Sequence, residues 1–207
     1  VLYDEMGSSD LNTQWLADFE QANIPILPFN TRQGENNRFQ LNFRNHRKIV
    51  VVDGKTSWLG GLNIGDDYLG EDPKLSPWRD THLRISGPAA MHAQTIFLAD
   101  WFWAAREFIS DLSWTPYTPP TSAGSDQPDP GKDVLILGSG PADKLETASL
   151  FFTTALNVAR QRIWIATPYF IPDEATMTAL RLALLKGLDV RIITPELNDN
   201  WFVKHAA

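Results

Sequence analysis

The chain has 207 residues, 43% of them hydrophobic, which suffices for one large or two small domains with a real core. Its formal net charge of -7 argues against a general polyanion-binding surface and against non-specific attraction to nucleic acid. There is no cysteine for a disulfide or a thiolate zinc site, no run nears the roughly 20 apolar residues of a membrane span, and the start shows no signal-peptide pattern.

Val1 to Tyr3 reads as a strand, and a loop leads to Asp10, which can cap a helix with Leu11, Trp15, Leu16 and Phe19 at helical spacing. A second strand over Ile24 to Phe29 follows at once, so the chain opens with the strand, helix, strand grammar of an α/β layer. Residues 30 to 45 have no period. Between Arg32 and Lys48 lie five cations, Arg32, Arg38, Arg44, Arg47 and Lys48, against one acid, Glu35. Such a run is either a solvated charged loop or an anion-attracting mouth.

The β-branched run Ile49 to Val52, the pair Asp53-Gly54 and a second run from Thr56 to Leu59 predict a β-hairpin with a tight turn. His46 and Lys48, two apart on the extended approach, project to one side. Gly60 and Gly61 allow close approach of the backbone and bring Asn63 back toward the imidazole. Asp66, Asp67, Glu71 and Asp72 are grouped, but without the ordered spacing of a calcium loop, so no metal is expected.

Trp78 to Ser86 alternates as a strand, and Gly87-Pro88 opens a long helix lined by Met91, Leu98, Trp101, Phe102 and Ala105, with His92 on its surface. His82 is expected to be a packed or rim residue. Residues 115–132, rich in Pro, Gly and Ser, read as a linker. Beyond it are predicted a strand at Val134 to Leu137, a helix from about Asp143 to Arg160, a strand at Arg162 to Thr167, a helix from Asp173 to Lys186 stopped by Gly187, and a strand at Val190 to Thr194. The last strand repeats the part played by the first, as if the chain spanned one structural period.

The string His46-x-Lys48-x4-Asp53-x6-Gly60-Gly61-x-Asn63 resembles the HKD motif of the phospholipase D superfamily in its Gly-Gly variant. The wording NHRKIVVVDG, GGLNIGDDYLG, PWRDTHLRISGPA and, later, ATPYFIPDEA is similar to bacterial cardiolipin synthases. The resemblance implies an α/β fold, the phospholipase D-like α/β/α sandwich with a mixed sheet. It implies one nearly complete half over residues 1–114, truncated at its start, and the truncated opening of a second half over 133–207. No second His-x-Lys occurs in the 207 residues.

What the resemblance implies for function is phosphatidyl transfer, making cardiolipin from two phosphatidylglycerols through a phosphohistidine, with phosphodiester hydrolysis, as in a phospholipase D or a homodimeric nuclease, as the alternative. His46 would be the nucleophile, since neutral imidazole is a good one and covalent capture splits a hard step in two. Lys48 and Asn63 would stabilise charge on the non-bridging oxygens, with Gly61 and Arg44 also contacting substrate. Asp80 would orient the imidazole, as the acid of a catalytic triad does. Asp53 belongs to the motif's catalytic set, although its place at the turn gives it a scaffold role. No cofactor and no metal are implied. The partners would be a phospholipid and a second HKD half or a second copy of the chain. The larger protein would meet the bacterial inner membrane, and the isolated chain would be inactive or nearly so.

Overall fold

The computed structural model describes residues 1–5, 7–9, 11–29, 44–73, 76–115, 117, 131–140 and 143–195. They form two compact units, residues 1–138 and 139–207.

The first unit begins with β1 (Leu2–Asp4), α1 (Thr13–Gln21) and β2 (Leu27–Phe29), and β1 and β2 pair in parallel. The α1 cap is Asn12, whose side chain accepts from Gln14 N. The expected cap, Asp10, lies outside the described residues. Asn12 does the job because it stands one residue before the first helical turn, where a side-chain oxygen reaches an otherwise unpaired N–H.

Next comes an antiparallel sheet of β3 (Ile49–Val52), β4 (Thr56–Gly60) and β5 (His82–Ser86), in that order. The hairpin turns as the Asp53-Gly54 pair predicts. Lys55 N donates to Val52 O at 3.0 Å, and both central residues have positive φ, 55° and 65°. That is the mirror-image turn whose twist matches the strands it joins. The strand expected from Trp78 starts only at His82; the Ser76-Pro77 peptide is cis and the intervening residues run irregularly.

Helix α2 (Pro88–Ala105) packs on β2, β3, β4 and β5. Ala90 and Ala93 are fully buried, and their short side chains let helix and sheet come close. The buried residues of α2 are Ala90, Ala93, Gln94, Asp100 and Trp101; of the expected line Trp101 is buried, Met91, Leu98 and Ala105 are half-buried, and Phe102 is exposed and stacks on Phe108. The larger aromatic pattern misled because small residues, not bulky ones, fit the closest contact. Gln94 donates to Ser113 O at 2.9 Å, fastening the segment after α2 beside the hairpin turn.

Most of the expected linker lies outside the described residues. The strand expected at Val134 to Leu137 is absent: residues 131–140 form no regular element, Leu135 is exposed, and Gly138 lies against Ile96 of α2. An apolar run without a backbone partner has no ladder to join.

The second unit contains α3 (Thr147–Val158), β6 (Arg162–Ala166), α4 (Glu174–Leu185) and β7 (Asp189–Ile193). β6 and β7 are parallel, with α4 as the crossover, a βαβ unit. Its core is Ile163, Leu180 and Ala183, flanked by Leu156, Phe170 and Val190. Asp173 caps α4 by accepting from Thr176 N, and Gly187 follows it with φ 81°. The mixed α/β class stands, with parallel and antiparallel pairing both present.

Candidate active site

Strand register places the motif. Ile49 faces Leu59, and Gly60 faces His82. The residues before β3, the glycine pair after β4 and the residues before β5 therefore share one end of the sheet. His46 and Lys48, Gly61, and Asp80 all belong to that end. Asp53 lies at the opposite end, exposed at the hairpin tip.

The approach to β3 is held by its odd-numbered residues. Asn45 Nδ2 donates to Asp100 Oδ2 at 3.0 Å, and Arg47 Nη1 to Asp100 Oδ1 at 2.6 Å. Asp100 is a buried α2 residue, so the helix grips one side of the segment. The even-numbered residues carry the other set of contacts. Arg44 binds Asp4 through Nε at 2.9 Å and Nη2 at 2.6 Å, while Lys48 Nζ donates to the His46 carbonyl at 2.9 Å. Arg44 and Lys48 thus engage partners other than Asp100, in keeping with the alternation of an extended chain.

Neighbouring charges tune both groups. Partial desolvation lowers the His46 pKa, with the Lys48 and Arg44 cations pushing the same way and Asp4 opposing them. Desolvation likewise lowers that of Lys48; Asp4 opposes this, Arg44 adds to it, and Asp80 opposes it. The imidazole is therefore held toward its neutral, nucleophilic form.

The glycine pair makes room at this end. A Cβ on Gly61 would stand 2.1 Å from Asp80 Oδ1, so only glycine lets that carboxylate lie against the backbone. At Gly60 a Cβ would meet Thr81 O at 2.4 Å and His82 Cα at 2.5 Å. Asp80 accepts from Thr81 N at 2.6 Å and Trp78 Nε1 at 3.4 Å. Its field reaches Lys48, but no hydrogen bond joins it to the imidazole among the described residues. Asn63 is exposed and accepts from Ile64 N at 3.1 Å, an attachment within its own loop. His82 is half-buried, with a buried Nδ1 that has no partner among the described residues. His92 is exposed, as expected.

Two residues here escaped the sequence reading. Asp4 closes β1, and the carboxyl ends of parallel strands are where α/β proteins gather functional groups. That rule could have singled it out. Asp100 had no such signal, since a lone acid in a helix is ordinarily a solvated residue.

Comparison with known proteins gives the same direction. Residues 152–207 match the family model described as "Cardiolipin synthase, PLD-like domain". Over all 207 residues the chain is 49% identical to cardiolipin synthase A of Pseudomonas fluorescens (strain SBW25) and 50% identical to that of Pseudomonas putida (strain W619). It is 47% identical to that of Pseudomonas syringae pv. syringae (strain B728a). In each case the chain spans 41% of the relative's length.

Proposed function

The chain belongs to the phospholipase D-like family that includes the cardiolipin synthases, and from that premise we propose that it carries the nucleophilic half of a phosphatidyltransferase site. The reading is carried by the Lys48 charge acting on the His46 imidazole, in a segment that meets the sheet at the end shared with Gly61 and Asp80.

In the first step the neutral His46 imidazole attacks the phosphorus of phosphatidylglycerol. A phosphorus–nitrogen bond forms, the bond to the glycerol oxygen breaks, and glycerol leaves after taking a proton. In the second step a hydroxyl of another phosphatidylglycerol attacks the phosphohistidine, loses its proton and releases the imidazole, giving cardiolipin. Lys48, Asn63 and Arg44 donate to the non-bridging oxygens, where losing one such donor costs about 10²-fold or more in rate. Asp80 orients the imidazole once substrate is bound, by a shift of its carboxylate from Thr81 and Trp78. Asp53 serves the turn.

The proton for the leaving glycerol comes from a group outside the single motif of these 207 residues, in a second HKD half or a second copy. We assign residues 1–114 to the first half and 133–207 to the opening of the second, although residues 133–138 pack with the first compact unit. The match of the family model to residues 152–207, far from the motif, supports this. No helix among the described residues is long and apolar enough to cross a membrane. By its likeness to the cardiolipin synthases, the site reaches its lipid at the surface of the inner membrane, through the larger protein.

The test joins this chain to the remainder of a full-length relative and supplies labelled phosphatidylglycerol. Cardiolipin plus glycerol is expected, and His46→Ala abolishes it. Phosphatidic acid plus glycerol would make the protein a hydrolase, and equal product from the variant would remove His46 from the mechanism.

A further inference from the structure

Asp4 is the residue whose contacts exceed a merely structural need. One oxygen, Oδ2, accepts from Gly7 N at 2.9 Å, from Arg44 Nε at 2.9 Å and from Arg44 Nη2 at 2.6 Å. The other, Oδ1, is buried and has no hydrogen-bond partner among the described residues. The Asp4 side chain is only 12% exposed against 33% for Arg44, so the acid lies beneath and the guanidinium nearer solvent. The turn after β1 is shaped around the pair: a Cβ on Gly7 would stand 2.5 Å from Arg44 Nη2 and 2.7 Å from Asp4 Oδ2. Arg44 shares the even-numbered side of its segment with His46 and Lys48.

We propose that Asp4 is a positioning residue, fixing Arg44 beside His46 and Lys48 so that the guanidinium meets a phosphate group at the imidazole as a preset third cation. The idea rests on the phosphoryl-transfer reading above, which it deepens. An Arg whose Nε and one Nη2 proton are held by a carboxylate still has donors on its outer edge. Its planar fork is ordered in advance, so less side-chain entropy is lost when an oxyanion arrives. The acid partly cancels the cation's attraction for anions, and it is retained because it fixes direction.

That trade gives a test whose sign decides. Inorganic phosphate is titrated into the 207-residue chain while the His46 imidazole resonances are followed by NMR, with circular dichroism confirming the fold of each variant. Asp4→Asn keeps the shape and removes a negative charge. If Asp4 acts only through its charge, phosphate binds more tightly to this variant. If Asp4 positions Arg44, binding weakens several-fold despite the more favourable net charge. Arg44→Lys, which keeps the charge and loses the fork, weakens it comparably, and the double variant is no weaker than Arg44→Lys alone. Unchanged or tighter binding to Asp4→Asn, additive losses, or no phosphate shift in the unaltered chain would each overturn the proposal. Should phosphate bind as expected while no phosphatidyl product forms in the joined protein, the function reading fails and the positioning role of Asp4 stands.

Discussion

Arg47 donates to Asp100 at 2.6 Å across the interface between the motif segment and α2, and this bond ties the segment that carries His46 to the helix. Asn45 donates to the other oxygen of the same carboxylate at 3.0 Å. The α2 carboxylate thus anchors the segment that carries His46.

Asp100→Ala should destabilise the first unit by about 1–3 kcal/mol, because it leaves the donors of Asn45 and Arg47 without their acceptor in a partly buried place. Denaturant unfolding measures this. The same variant should lower transfer activity in the joined protein more than its loss of folded population explains. Equal losses would make Asp100 purely structural.

The His46 pKa lies below its ordinary value, through desolvation and the Lys48 and Arg44 cations. Lys48→Met should raise it, and Asp4→Asn should lower it further, both read from the pH dependence of the imidazole NMR resonances. The sign for stability follows. The unfolded chain takes up the proton more readily, so protonation at this residue disfavours the fold as pH falls through about 6.5 toward the folded pKa. His46→Asn should flatten that part of the pH–stability curve.

The two motif glycines should respond differently to alanine. Gly60→Ala drives a methyl into the Thr81 carbonyl and His82 Cα, backbone that cannot step aside cheaply, and should cost about 1–3 kcal/mol in unfolding measurements. Gly61→Ala meets the Asp80 carboxylate, which can rotate away. Its stability loss should be the smaller, with the larger effect falling on activity through the displaced acid.

Asp53→Asn should leave both stability and activity nearly unchanged, since Asn accepts the left-handed conformation at φ 55° and the side chain is exposed. Asp53→Val should lower stability by about 1 kcal/mol or more, because a β-branched residue is strained there. A large activity loss in well-folded Asp53→Asn would return this residue to the catalytic set.

Much of the frame was readable from local rules. Asp53-Gly54 announced the hairpin, Gly87-Pro88 the start of α2, and Asp173 with Gly187 the ends of α4, because turns and caps are decided by a few adjacent residues. What lay hidden depends on distance along the chain. Asp4 and Arg44 are 40 positions apart, and Arg47 and Asp100 are 53 apart. Spacing in sequence says nothing about such pairs until the fold brings them together. Asp80 was expected on the imidazole and rests on Thr81 and Trp78 instead, since a backbone N–H one residue away is the nearer donor.

The alternation between Arg44 and Lys48 acts as a parity rule on the chain. One residue inserted between Lys48 and the sheet would move Asn45 and Arg47 to the open side and send His46 and Lys48 toward Asp100. Two inserted residues would restore the facing, though not the reach. Length variation in this segment is therefore constrained by odd and even steps, and an odd step would undo the arrangement of Arg44, His46 and Lys48 without replacing any of them.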